Sequence, residues 1–222
     1  MKKAFLSSIT ALLVAMLAAC GGDNPAGPSA AGGGSGSGNQ APTASINAAP
    51  SVALMSVTSV AFSATANDPN GDALSYEWDF GDGSKATGPT AQKLYEKAGG
   101  FNVTLKVTDA KGASTSTSTN VTVKSLNGFW NDRAQGYGIE VTQSGKSISG
   151  RTVLGVRNLT GALKGTVDQN LVVNYKTSYF NGAFRDYFDG RLDSSLDAMS
   201  GKLDLSDGQT TFTFNLNMVR QP

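Results

Sequence analysis

From Ala41 onward the chain breaks into short runs in which apolar and polar residues alternate, separated by clusters of Gly, Asn, Asp and Pro. In FNVTLKVTD the apolar set Phe101, Val103, Leu105 and Val107 points one way, while Asn102, Thr104, Lys106 and Thr108 point the other. That two-residue period is the mark of a strand with one buried and one wet face. The pattern predicts strands over 43–47, 59–66, 74–78, 101–109 and 114–124, with turns at Asp68-Pro69-Asn70-Gly71 and Gly81-Asp82-Gly83. Strands so short and so closely spaced form a small antiparallel sandwich over residues 41–124. Within it Trp78 and Phe80, two apart, are predicted to share the core face, with Asp79 facing outward or into the turn.

Ser125-Leu126-Asn127 is too short for a free linker, and the region 127–222 has no helical period. Its pattern predicts about eight strands, over 128–132, 137–143, 147–154, 160–167, 171–179, 183–192, 199–205 and 210–219. The joints are hairpin-like, as at Gln143-Ser144-Gly145-Lys146 and Ser206-Asp207-Gly208. A meander of this length removes its exposed edges by closing, so a small up-and-down antiparallel β-barrel is expected. Gly150, Gly165, Gly190 and Gly201 interrupt alternating runs and let strands coil sharply. Gly128-Phe129-Trp130 followed by a meander faintly resembles lipocalin and avidin barrels, a likeness that carries over no ligand-binding residue.

The amino end is of another kind. Met1-Lys2-Lys3 is a short positive segment, Ala4 to Met16 is mostly apolar and too short to span a bilayer comfortably, and Leu17-Ala18-Ala19-Cys20 closes it. These residues resemble the signal peptide and lipobox of a bacterial lipoprotein. The resemblance implies a leader over 1–19, cleavage before Cys20, and acylation of the Cys20 sulfur and new amine as a membrane anchor. Asp23 is not adjacent to Cys20, so the resemblance favours the outer membrane over inner-membrane retention. Most of 20–40 reads GGDNPAGPSAAGGGSGSGNQ, with almost nothing to bury. It is expected to be a flexible tether with a reach of roughly 25 Å.

Composition narrows the chemistry. The chain has no His and one Cys, which excludes metal sites built on imidazole or several thiolates and excludes Ser-His-Asp or Cys-His catalysis. With 18 Lys and Arg against 17 Asp and Glu, scattered along the chain, no basic footprint points to nucleic acid. What remains is carboxylate, Tyr, Lys or Ser chemistry, or oxygen-ligand cations.

APTASI, VTSVAFSATANDPNGDALSYEWDFGDGS, LYEKAGGFNVTLKVTDAKGAS and a final NVTVK resemble a PKD domain, the Ig-like module named for polycystic kidney disease protein. Tyr76-x-Trp78-Asp79-Phe80-Gly81-Asp82-Gly83 matches the signature without a gap, while Leu94 stands where many members carry His. The resemblance implies an Ig-like sandwich and a structural role for Asp79-Phe80-Gly81. A kinase reading of those three residues has no Gly-rich phosphate loop, strand Lys or catalytic loop to support it.

Asp68, Asn70 and Asp72 take positions one, three and five of a calcium-loop pattern, but Ala73 stands where that pattern needs Gly and the flanks read as strands. Both a polar turn and a weak calcium site stand open. Asp186, Asp189 and Asp193 admit a glycosidase-like carboxylate pair; on a strand, however, Asp189 and Asp193 share a face with Tyr187 and Arg191, as in a solvated, charge-paired surface. Aromatics concentrate at Tyr175, Tyr179, Phe180, Phe184, Tyr187 and Phe188. They belong to core or barrel wall, or in part, with Tyr175, Tyr179 and Tyr187 as candidates, to an exposed contact surface. The expectation is an all-β, non-enzymatic outer-membrane lipoprotein that needs no cofactor beyond a weak calcium candidate and binds polysaccharide or envelope protein. A barrel carrying a small apolar ligand and a carboxylate glycan hydrolase are the competing readings.

Overall fold

The computed structural model describes residues 38–154, 159–179 and 185–222. The leader, Cys20 and nearly all of the expected tether lie outside the described residues, as do Phe180 and Phe184.

Residues 43–124 build two sheets. The first has the order β1–β3–β6, formed by β1 (Thr43–Ala49), β3 (Ser59–Asn67) and β6 (Thr90–Leu94). The second has the order β2–β8–β7–β4–β5, formed by β2 (Val52–Leu54), β4 (Leu74–Asp79), β5 (Lys85–Thr87), β7 (Gly99–Asp109) and β8 (Ser114–Lys124). The five strands legible as alternating runs are present. The short β2, β5 and β6 are additional, because VAL, KAT and TAQKL are too brief to display a period and exist by pairing with longer neighbours.

The core between the sheets joins Val60 and Phe62 to Trp78, Phe80, Tyr95, Val103, Leu105, Val107 and Val121. Trp78 is fully buried, and its indole N–H donates to the Gly88 carbonyl at 2.8 Å. Asp79 accepts the Gly81 amide at 2.9 Å, so Asp79-Phe80-Gly81 is a turn device. At Gly81 φ is +75°, and an added Cβ would stand 2.7 Å from the Asn102 carbonyl oxygen, which leaves glycine as the residue that fits.

Eight further strands run in chain order around a closed barrel: β9 (Gly128–Asp132), β10 (Tyr137–Ser144), β11 (Ser147–Leu154), β12 (Leu159–Val167), β13 (Val172–Tyr179), β14 (Arg185–Leu192), β15 (Ala198–Ser206) and β16 (Thr211–Arg220). The barrel closes where Asn131 and Trp130 of β9 pair with Val219 and Arg220 of β16. Gly190 and Gly201 face each other across β14 and β15, both on the inward register. A Cβ on Gly201 would lie 2.3 Å from the Asp189 carbonyl oxygen, so the strands approach there only because side chains are missing.

One end of the barrel is sealed by the sandwich. Leu54, the last residue of β2, and Val57 in the turn after it belong to the barrel's buried cluster with Trp130, Leu196 and Met218. Gln143 ties the joint: its amide donates to the Met55 carbonyl at 3.1 Å and its side-chain oxygen accepts the Leu126 amide at 2.8 Å. Lys124 pairs with Asp197 and donates to the Ser195 carbonyl, and Arg220 reaches the Ser125 carbonyl while lying over the Trp130 ring.

Candidate functional site

Strand alternation sorts the barrel residues into an inner and an outer set. On β14 Asp186, Phe188 and Leu192 are buried, while Arg185, Tyr187, Asp189 and Arg191 face out. Asp186 and Asp189 therefore stand on opposite sides of one wall and cannot flank a common glycosidic bond. Asp193 lies beyond the strand as a turn cap, accepting the Ser195 hydroxyl at 2.8 Å and the Ala198 amide at 3.4 Å. The carboxylate pair expected as one option is thus not formed, and the surface expected to hold both Asp189 and Asp193 keeps only Asp189, opposite Lys202 of β15.

The three aromatic candidates separate likewise. Tyr187 is outward and 40% exposed, with the Lys176 ammonium 5.9 Å from its ring centre. Tyr175 and Tyr179 are corrected: both face inward and are buried, because they share the register of Val173 and Thr177 on β13. Tyr175 stacks on Phe188 with ring centres 4.9 Å apart.

These rings surround the carboxyl of Asp186, which is 1% exposed. One oxygen, Oδ2, accepts the Tyr179 hydroxyl and faces the Tyr137 hydroxyl at 3.5 Å, and Tyr175 donates to the Tyr137 oxygen at 3.1 Å. The other oxygen, Oδ1, has no hydrogen-bond partner, nor has Oγ1 of Thr177, directly across on β13. Burial raises the Asp186 carboxyl from 3.8 to about 6, against the downward pull of the Tyr179 and Tyr137 hydrogen bonds. Burial, reinforced by the nearby carboxylate, pushes the Tyr137 phenol well above its ordinary value. Asp132, the other buried inward carboxylate among the described barrel residues, has both oxygens occupied, by the amides of Ala134 and Gln135 and of Asn217. Sequence reasoning missed Asp186 as a distinct group; the signal was its parity with Phe188 and Leu192, a polar residue in an apolar register.

The same end of the barrel displays apolar side chains. Phe212 and Phe214 lie on the inward register of β16 with Leu216 and Met218, and pair with the inward Leu205 and Leu203 of β15. Leu216 and Met218 are buried, yet Phe212 is 56% and Phe214 38% exposed. Among the described residues the interior is thus buried from the sealed end up to Asp186, Thr152 and Thr177, and Phe212 and Phe214 are the inward-register rings left partly exposed toward the free end.

In the sandwich, Asp68 and Asp72 meet Asp109, at the end of β7, so that one carboxylate oxygen from each lies within 4.8 Å of the others. Asp68 Oδ1 caps its turn through the amides of Asn70 and Asp72, and Oδ2 is buried without a partner. Asp109 Oδ1 likewise caps the amides of Lys111 and Ala113, and Lys111 pairs with Asp72 at 2.9 Å. Asn70, a candidate ligand by spacing, instead accepts the Gln40 amide, and Asp109 takes the third place. The cluster is a pair of capped turns whose oxygens also fit a hard cation such as calcium.

The family model described as PKD domain matches residues 39–123, the segment folded as the sandwich. Collagenase ColQ1 of Bacillus cereus (strain Q1) is 40% identical over 86 residues, 39% of this chain and 9% of that protein. Pre-pro-metalloprotease PrtV of Vibrio cholerae is 48% identical over 50 residues, 22% of this chain and 5% of that protein. The PKD1 domain of Vibrio anguillarum Epp, known by crystal structure, is 33% identical with a TM-score of 0.34, covering 39% of this chain and 98% of that one. Residues 39–123 are thus a PKD domain, and the chain spans less than a tenth of the length of these curated relatives.

Proposed function

We propose that this chain is a non-enzymatic binding protein of the cell envelope, anchored in the outer membrane through acyl chains on Cys20, whose barrel offers its free end to an envelope polysaccharide or protein. The observation that carries the reading is the exposure of Phe212 and Phe214 on the inward register at the one barrel end the sandwich does not seal. The chain enters the sandwich at Asn39, pinned to Asp109 beside the β7–β8 turn, and β8 then leads away from that turn to the joint at Lys124. Asn39 and the free barrel end thereby lie on opposite sides of the joint, as a display device needs. The PKD domain is read as the spacer. A deep carrier site for an apolar ligand is disfavoured by Trp130, Tyr175 and Phe188, which fill the interior below the mouth.

The test is capture of the purified full chain by immobilised envelope polysaccharides and by envelope protein extract. The double change Phe212→Ser with Phe214→Ser is expected to weaken capture at least tenfold, while Asp189→Asn leaves it unchanged. Capture that survives loss of both rings overturns the reading. Cys20→Ser is expected to move the protein out of the membrane fraction, and equal retention removes the anchor from the proposal.

A further inference from the structure

We infer that the free end of the barrel holds a site for a small organic ammonium ion, whose amine reaches Asp186 and whose apolar body lies against Phe212 and Phe214. The inference rests on the reading of that end as the binding face and adds the chemical class of a ligand. A buried carboxylate ordinarily has a cation or a full set of donors, because leaving water is otherwise unfavourable. Asp132 meets that rule within the same barrel through three backbone amides. Asp186 does not: its Oδ1 is unpartnered, Thr177 Oγ1 beside it is unpartnered, and both side chains are 1% exposed.

The charges nearest in register cannot answer for it. Arg185 on its own strand, Lys176 on β13 and Lys202 on β15 all occupy outward positions. The inward groups around Asp186 are instead the phenols of Tyr137, Tyr175 and Tyr179. Phenol hydroxyls leave the negative charge in place. An ammonium group matches what is missing: it brings positive charge and three N–H donors, of which Asp186 Oδ1 and Thr177 Oγ1 take two. Aromatic faces hold such a cation by their quadrupoles. Register places the two parts of the site on one stretch of the inner wall, since Phe212 pairs with Leu205 and Leu205 with Asp186. Two strand spacings place the exposed Phe212 about 10 Å from Asp186 along the inner wall. That span suits an amine joined to a ring by a short chain.

The full chain, purified in detergent, is titrated at pH 7.5 with 2-phenylethylammonium and with its neutral counterpart 2-phenylethanol, by calorimetry. Saturable one-to-one binding of the ammonium is expected, at least tenfold tighter than the alcohol, with Asp186→Asn erasing the preference and Phe212→Ser weakening both ligands. Should Asp186→Asn fail to fold by circular dichroism, the same titration of the unaltered chain at pH 4.5 takes its place, where protonation of Asp186 is expected to erase the preference. No saturable binding of the ammonium, or a preference that survives neutralisation of Asp186, overturns the inference. If amine binding fails while polysaccharide or protein capture still depends on Phe212 and Phe214, this site is lost and the display reading stands. If the amine binds and nothing macromolecular is captured, the reverse holds.

Discussion

Burial makes the Asp186 carboxyl easier to protonate in the folded chain than in the unfolded one, and that sets the sign of a pH dependence. Its folded value, about 6, lies above the unfolded 3.8. The native state therefore binds the proton more tightly, and the contribution is full below the unfolded value and lost as pH rises through about 4 to about 6. The difference amounts to about 3 kcal/mol. The chain is thus expected to resist urea better at pH 4.5 than at pH 7.5, and Asp186→Asn to flatten that difference; an unchanged slope in the variant dismisses the assignment. Asp82 acts in a lower window. Its carboxyl works against burial and is held down to about 2 by Lys93 and Ser84, so its contribution is lost only as pH falls below the ordinary carboxylate range. Trp78 is a residue of the opposite kind, legible from the alternation of its strand and fully buried as that alternation requires. Trp78→Ala is expected to destabilise the sandwich by about 3 to 5 kcal/mol in denaturant melts. A loss below about 1 kcal/mol contradicts the packing between the sheets. Asp186 was less legible than Trp78 because a single polar residue in an inward register does not reveal whether its oxygens are answered.

At the scale of elements, the long strands were readable because a buried face repeats every second residue, and β7, β13 and β14 follow it. The short edges β2, β5 and β6 were not, since three to five residues do not display a period. The turns show the same limit. The 68–72 turn carries a partial calcium pattern, but its third carboxylate, Asp109, arrives from a separate hairpin. Added calcium is expected to raise the thermal midpoint of the chain, by an amount equal to about 2.7 kcal/mol at a hundredfold excess over Kd. Asp68→Asn and Asp109→Asn are each expected to remove most of that shift, whereas Asn70→Ala leaves much of it. A midpoint indifferent to calcium and to chelator marks the cluster as two capped turns and no more. On β14 the spacing of Asp186, Asp189 and Asp193 suggested a pair, and the pleat set the first two on opposite faces.

Across the whole molecule the sandwich completes the barrel, for Leu54 and Val57 are buried in the barrel's cluster although they belong to β2 and the turn after it in the sandwich. Val57→Asp is therefore expected to destabilise the barrel by at least about 2 kcal/mol, since it buries a charge without a designed partner. Hydrogen exchange of the β10 and β16 amides reads this directly: protection lost there supports a shared core, and protection lost only in the sandwich refutes it. The sequence alone determined what depends on neighbours along the chain: the all-β class, the PKD segment with its Trp78 core and Asp79 turn, and eight strands in a meander, because alternation and turn chemistry act within a few residues. Only the tertiary structure decided what depends on residues far apart: which barrel end is sealed, that Phe212 and Phe214 stay wet on an inward register, and that Asp186 meets three tyrosines yet keeps one oxygen unanswered. The reason is physical. Burial and hydrogen-bond satisfaction are set by what closes over a residue, and here some of the closing residues, such as Tyr137 at Asp186, lie tens of positions away.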